Sequence, residues 1–302
     1  MKILITGITG LVGTQLYQAI KDKHAIHFLT TQKSKLNALQ GAKGFYWNPT
    51  NGEIDAACIE GVDTIIHLAG ASISKRWTKQ YKKQILDSRV IGTQLLVRFL
   101  NENKGKHQVK QIVAASAIGI YPSSQDNIYS EDYPLTKPST FLEEVVEAWE
   151  KAVDEFSLLA IRVAKLRIGL VLTAKGGVLG PLKSPTYFGL GAAFGDGTQY
   201  QSWIHVQDLV RLIVTAAEQG WEGVYNAVSP NAVSQTTLTK ALAKAMNRPY
   251  FMPPIPRIVI QMAVGEMSAL VLNSHHVSAE KVLQNNFVFK HNDLYTAIKT
   301  LV

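Results

Sequence analysis

One cysteine, Cys58, stands in 302 residues. That count excludes a disulfide framework and a cysteine-rich metal site, and no metal ligands are expected. No long uncharged apolar run is present. The most apolar late stretch, residues 255–272, carries Arg257, Gln261 and Glu266, which marks it as a packed helix and not a membrane span. A basic leader followed by an apolar signal core is missing, because the N-terminus reads as a core strand; the cytoplasm is the compartment expected. Aromatic residues do not interleave with the lysine and arginine clusters at 33–35, 75–89 and 104–110. The formal charge of +8 therefore reads as solvated helix faces and sites for small anions. Neither nucleic acid nor membrane is expected as a partner. No internal repeat or low-complexity tract interrupts the chain.

What is present begins at the N-terminus. The apolar run Ile3, Leu4, Ile5 breaks into glycines at positions 7, 10 and 13, followed by apolar residues at helical spacing through Ile20. Strand, tight turn and helix in that order aim a helix N-terminus at a phosphate. Gly7 can take the backbone angles of the turn, Gly10 has no Cβ to block a pyrophosphate, and Gly13 lets the helix pack closely on the strand. Thr9, Leu11 and Val12 lie within this turn and join the expected dinucleotide-binding set.

Apolar strand-like runs at residues 2–6, 25–30, 44–47, 64–68, 111–115 and 160–166 alternate with helical patterns such as 80–101 and 141–156. This rhythm predicts an α/β fold: a doubly wound parallel sheet of Rossmann type covered by helices. Glycine- and proline-rich sequence from 176 to 197 reads as long active-site loops. Helical periodicity returns around 206–219, and the composition shifts after Pro230 toward further helices. The expected division is residues 1–230 for nucleotide binding and 231–302 for a smaller, mainly helical substrate region.

With the glycine turn in place, the chain resembles the extended short-chain dehydrogenase/reductase superfamily. It is most similar to the NAD(P)-dependent epimerase/dehydratase group, in a branch labelled nucleotide-sugar epimerase-related or cell-division-inhibitor-like. The segments that carry the likeness are Thr6-Gly-Ile-Thr-Gly-Leu-Val-Gly13, Val62-Asp-Thr-Ile-Ile-His-Leu-Ala-Gly70, Asp87-Ser-Arg-Val-Ile-Gly-Thr93, Ala115-Ser-Ala-Ile-Gly-Ile-Tyr121, Phe141–Glu150, Leu166–Leu172 and Gly197–Asp208. Arg76-Trp-Thr78 and the tail after Val277 add to them, so the likeness covers nearly the whole chain. It implies a nicotinamide cofactor lying against Leu68, Ala69 and Gly70, a structural role for His67, a small-molecule substrate and a homodimer as the usual assembly.

The segment after the second strand has no carboxylate to hold ribose hydroxyls. Thr30 and Thr31 can hydrogen-bond there, and Lys33 or Lys35 can face a 2′-phosphate, so NADP is expected over NAD. The usual proton-transfer set is another matter. Tyr133-Pro-Leu-Thr-Lys137 fits a Tyr-x-x-x-Lys pattern, but Pro134 and Pro138 exclude the helix that would put both side chains on one face. Alignment by surroundings places the tyrosine and lysine positions on Phe141 and Val145, and the hydroxyl position on Ala117. Ser116 faces the other way on a regular strand unless a bulge turns it. Ser116 and Tyr121 are the catalytic candidates that remain, with Arg76, Arg89 and His205 as further ones. Either an oxidoreductase or epimerase with unusual groups, or a nucleotide-binding sensor without turnover, fits this pattern.

Overall fold

The computed structural model describes residues 1–302. Its first part comprises β1 (Lys2–Thr6), α1 (Leu11–Ile20), β2 (Ala25–Thr30), β3 (Ala42–Asn48), β4 (Glu53–Ile54) and β5 (Thr64–His67). There follow α2 (Lys79–Glu102), β6 (Gln111–Ala117), β7 (Ile128–Tyr129), α3 (Phe141–Asp154), β8 (Arg162–Ile168) and β9 (Leu170–Leu172). Next come α4 (Leu179–Tyr187), β10 (Tyr200–Gln201), β11 (Trp203–His205), α5 (Val206–Gln219) and β12 (Gly223–Ala227). The chain closes with β13 (Val233–Ser234), α6 (Gln235–Ala245), α7 (Arg257–Val264), α8 (Ala269–Leu272), β14 (His276–Val277), α9 (Glu280–Gln284) and α10 (Leu294–Lys299).

Eight strands form one sheet in the order β12-β8-β6-β5-β1-β2-β3-β4, parallel except for β4 at the edge. Residues 3–5 of β1 are buried on both faces, as expected of a parallel strand covered by helices on each side. One apolar layer gathers Leu16 and Ile20 of α1 with Leu209, Leu212 and Ile213 of α5. The other gathers Leu95, Leu96 and Phe99 of α2 with Trp149 and Val153 of α3. The chain leaves β1 toward β2 and later returns to β5 on its other side. That reversal opens a crevice beyond the carboxyl ends of β1 and β5, where ligands of doubly wound sheets bind.

The C-terminal helices have a centre of their own. Leu238 and Leu242 of α6 and Ile298 of α10 pack on Leu172, Leu179, Leu182 and Trp203. The chain between β9 and β11 is thus joined to the C-terminal helices by its packing. Here the structure corrects the sequence: part of the 176–197 stretch is the helix α4, not loop. Pro181 sits in its first turn, where an N–H would have no intrahelical partner. Leu179, Leu182 and Thr186 bury one face, and the Thr186 hydroxyl donates to the Leu182 carbonyl at 2.7 Å. Glycine and proline content hid this helix. No helix is long and apolar enough to cross a membrane.

Candidate functional site

The glycine turn is built against the end of β5. Gly7 has φ +72°, and a Cβ there would meet the Leu68 carbonyl carbon at 2.7 Å. A Cβ on Gly13 would stand 2.2 Å from the Gly7 carbonyl oxygen, so only glycine lets α1 start this close to the turn. Gly10 differs: apart from the Gly7 oxygen at 3.1 Å, nothing of the protein lies near its Cβ position. It caps α1 with no side-chain hydrogen bond, and no acid stands in the first turn. The first N–H groups of a ten-residue helix therefore carry no side-chain acceptor at the crevice, which suits an anion.

Gly7, Thr9, Thr30, Thr31, Ala69 and Gly70 line one groove at this crevice. Gly10, Leu11, Val12 and Gly13 form its turn and helix start, and Leu68 lies beneath Gly7. Lys35 lines the groove, whereas Lys33 does not: its ammonium sits over the Tyr46 ring, 4.9 Å from the centroid. Sequence reading missed the opposite wall, made by Trp47 and Asn48 at the end of β3, Pro49 and Thr50 after it, and Lys83, Asp87 and Ser88 of α2. No spacing rule marks these residues, because β3 and α2 meet only through the fold. Lys83 and Asp87 pair with each other one helical turn apart.

Behind the groove, Thr6 Oγ1 accepts the N–H groups of Leu68 (3.2 Å) and Ala69 (3.1 Å) and lies 2.8 Å from His67 Nδ1. Its proton is therefore free to go to Nδ1, which places the imidazole proton on Nε2 for Thr93 Oγ1 at 3.0 Å. Thr93 in turn donates to the Arg89 carbonyl at 2.6 Å. Burial holds His67 down at about 4, so the ring is neutral. The chain of bonds pins the backbone on which a ligand would rest.

A second, largely apolar pocket opens beside the ends of β6 and β8. Ala117, Ile118 and Gly119 form one side, and Leu142, Val145, Val146 and Trp149 of α3 form another. Gln201 and Ser202 at β10 and β11 close it together with Asn273 and His275 from the C-terminal region. Gln201 and Ser202 fall in the Gly197–Asp208 segment that carries the family likeness; no signal in the sequence pointed toward Asn273 or His275. Both Ala117 and Val145 thus face the pocket, at the places aligned with the hydroxyl and lysine of the superfamily. Phe141, the aligned tyrosine position, packs edge-on against Trp77 at 5.2 Å.

Ser116 and Tyr121 belong to a different environment. Seven consecutive residues of β6 pair with β8 in register, so no bulge turns Ser116 toward the pocket. Its hydroxyl donates to Glu150 Oε1 at 2.6 Å. Glu150 also takes both prongs of the Arg167 guanidinium, at 2.9 and 3.0 Å. Arg167 donates further to the Tyr121 phenol at 2.9 Å, which lies 2.8 Å from Asn226 Oδ1 and 3.1 Å from the Ser130 carbonyl. Burial pushes the Glu150 carboxyl up, but Arg167, Ser116 and Lys165 outweigh it and hold it below its usual range. Burial raises the Tyr121 phenol above its ordinary value, despite Arg167, and keeps it protonated.

The remaining candidates separate by position. Tyr133 and Lys137 lie in non-helical chain, and Tyr133 packs edge-on against the Tyr129 ring at 4.7 Å. Arg76 is exposed. His205 caps α5, its Nδ1 accepting the Gln207 N–H at 3.2 Å, and burial with the adjacent His291 lowers it to about 4. Arg89 alone of these lines the apolar pocket.

Comparison with known proteins agrees with this geometry. Residues 3–163 match the NAD dependent epimerase/dehydratase family, and residues 255–301 match a domain of unknown function, DUF1731. An epimerase family protein of Staphylococcus saprophyticus is 38% identical over 300 residues, covering 99% of this chain and 98% of that protein. One from Staphylococcus haemolyticus is 34% identical over 302 residues, covering 100% and 99%. Among solved structures, human epimerase family protein SDR39U1 (isoform 2), determined with NADPH, superposes with a TM-score of 0.85 at 27% identity. That superposition covers 100% of this chain and 99% of the human one. The nucleoside-diphosphate sugar epimerase of Corynebacterium glutamicum follows with a TM-score of 0.77 at 28% identity, covering 99% of this chain and 57% of that chain. The chain belongs to the NAD dependent epimerase/dehydratase family.

Proposed function

We propose that this protein binds NADP(H) in the groove at the switch point and holds a small molecule in the apolar pocket beside it. In this reading it is an oxidoreductase or epimerase that works without the Tyr-x-x-x-Lys pair. The observation that carries the proposal is the glycine cradle: Gly7 and Gly13 leave no room for a Cβ, whereas Gly10 faces open space at an uncapped helix N-terminus. The residues present fit a dinucleotide. Gly10 and the first turn of α1 would take the pyrophosphate, Ala69 and Gly70 would lie under the ribose, and Thr30, Thr31 and Lys35 would meet a 2′-phosphate. Lys35 replaces Lys33 as the cation assigned to that phosphate, because Lys33 is drawn onto Tyr46. A bound nicotinamide would supply hydride exchange, a chemistry that belongs to the cofactor. The chain contributes an apolar wall that excludes water and the C-terminal residues 231–302 that complete the pocket. Assembly as a homodimer and a cytoplasmic location belong to the same proposal.

A second reading is favoured by Ser116 and Tyr121, whose hydroxyls are committed to Glu150, Arg167 and Asn226. With no free acid or base among them, the protein would be a sensor of the NADP(H) pool that does not turn over. Fluorescence titration tests the shared part. NADPH should bind about tenfold or more tightly than NADH, and Lys35→Ala should erase most of that difference. Equal affinities in the wild type would remove the NADP assignment. Oxidation of NADPH followed at 340 nm against a panel of carbonyl compounds then separates enzyme from sensor.

A further inference from the structure

Two arginines lie close to the apolar pocket, and their surroundings differ in one respect. Arg167 stacks over the Tyr121 ring at 5.1 Å and is fully neutralised by the Glu150 carboxylate. Arg89 stacks over the Trp149 ring at 5.0 Å and has no carboxylate at all. Its Nη1 donates to the carbonyls of Ala71 at 3.2 Å and Ile85 at 3.0 Å. Those two bonds fix the plane of the guanidinium and leave the N–H groups on Nε and Nη2 without a protein acceptor.

The pocket around it offers no counter-charge either. Arg89 is the one lysine, arginine, aspartate or glutamate among the residues that line it. His275, across the pocket, is pushed below its ordinary range by burial and is neutral at pH 7. Burial lowers Arg89 itself to about 10, so it stays charged. A Cβ on Gly70 would lie 3.1 Å from the Arg89 guanidinium carbon, tighter than an ordinary contact. Glycine at 70 therefore seats the cation directly against the chain that leaves β5, where the pocket meets the nucleotide groove.

We propose that Arg89 is the anion anchor of the apolar pocket. It binds the carboxylate, sulfonate or phosphate oxygens of a small amphipathic ligand whose apolar body lies against Ile118, Val145 and Trp149. An unpaired guanidinium held by backbone carbonyls and an aromatic face is preorganised to meet two oxygens of one anionic group through its free Nε and Nη2 edge. The wall of Ile118, Val145 and Trp149 offers no partner to hydroxyls on the side of the ligand that lies against it. This assignment rests on the proposal that the neighbouring groove holds NADP(H), since the anchored ligand would then sit beside the cofactor.

The test uses the full chain saturated with NADP⁺ and two fluorescent probes with the same rings, one charged and one neutral. These are 1-anilinonaphthalene-8-sulfonate and N-phenyl-1-naphthylamine. Arg89→Met should weaken the sulfonate by about tenfold or more and leave the neutral amine and NADP⁺ within about twofold. Val145→Trp, which fills the pocket, should remove the Arg89-dependent binding of the sulfonate. If Arg89→Met does not fold, Arg89→Gln keeps donors without the charge and should show the same loss. Unchanged sulfonate affinity overturns the proposal, as does an equal loss for the neutral amine, which would mean packing alone. Loss of NADP⁺ affinity with the sulfonate retained also overturns it, because the cation would then serve the cofactor pyrophosphate. A wild type that fails to bind NADP⁺ yet shows the Arg89-dependent sulfonate loss keeps the anchor and discards the nucleotide reading.

Discussion

The groove at the switch point and the pocket beside it were shaped under different demands. In the groove, function would rest on backbone: glycines without room for a Cβ, an uncapped helix end, and the Leu68 and Ala69 N–H groups pinned on Thr6, which His67 holds in turn. In the pocket, function would rest on side chains, and Ala117 and Val145 line it at the places that the sequence aligns with a hydroxyl and an ammonium. Steric demands of the backbone tolerate few residues at Gly7 and Gly13, so the groove shows in the glycine spacing. A pocket wall tolerates any apolar residue of suitable size, so its chemistry can change while the fold stays.

The largest effect is expected at Glu150. If the network of Ser116, Glu150, Arg167 and Tyr121 is scaffold, Glu150→Ala strands the Arg167 cation and should cost about 3–5 kcal/mol in denaturant unfolding. NADPH affinity of the folded fraction should hardly move. A stable Glu150→Ala variant that has lost NADPH would show that the network serves the ligand.

Acid pH probes two buried histidines, His67 behind the groove and His205 at the start of α5. His67 and His205 both titrate at about 4 in the fold. Their folded values lie below the unfolded value near 6.5, so the unfolded chain takes the proton first. Stability should be complete above pH 6.5 and fall as pH drops toward 4, by roughly 3 kcal/mol for each ring. His205→Asn keeps a helix-capping side chain and should remove about half of that acid sensitivity. An unchanged pH profile would place the sensitivity elsewhere.

The smallest effect is expected at Ser116. Ser116→Ala deletes one hydrogen bond to Glu150 and should cost about 1–3 kcal/mol of stability. Any turnover the protein has should persist. A collapse of turnover with little change in stability would return Ser116 to the reacting atoms.

Much of this molecule was legible because local rules governed it. The bounds of β1, β2 and α5 follow from apolar runs and helical spacing, and the glycine turn from sterics. The prolines around Tyr133 disclosed that Tyr133 and Lys137 do not share a helix. Other features depend on contacts between distant segments. Lys33 and Lys35 are equivalent in sequence, and only Tyr46 separates them. The helix α4 hides in a proline- and glycine-rich stretch because its buried face meets helices from the far end of the chain. Ser116 and Arg89 were both plain candidates; whether a carboxylate stands beside each is a fact of packing.

As proposed, the cradle around Gly10 holds a dinucleotide whether or not proton-transfer groups stand beside it. Gly10→Leu tests it most directly, since the side chain enters open space and disturbs little besides the Gly7 carbonyl. In a titration with NADPH, the wild type should bind saturably. The variant, with a melting temperature within a few degrees of wild type, should bind about a hundredfold more weakly or not at all. Retained affinity in a folded Gly10→Leu protein would contradict the account.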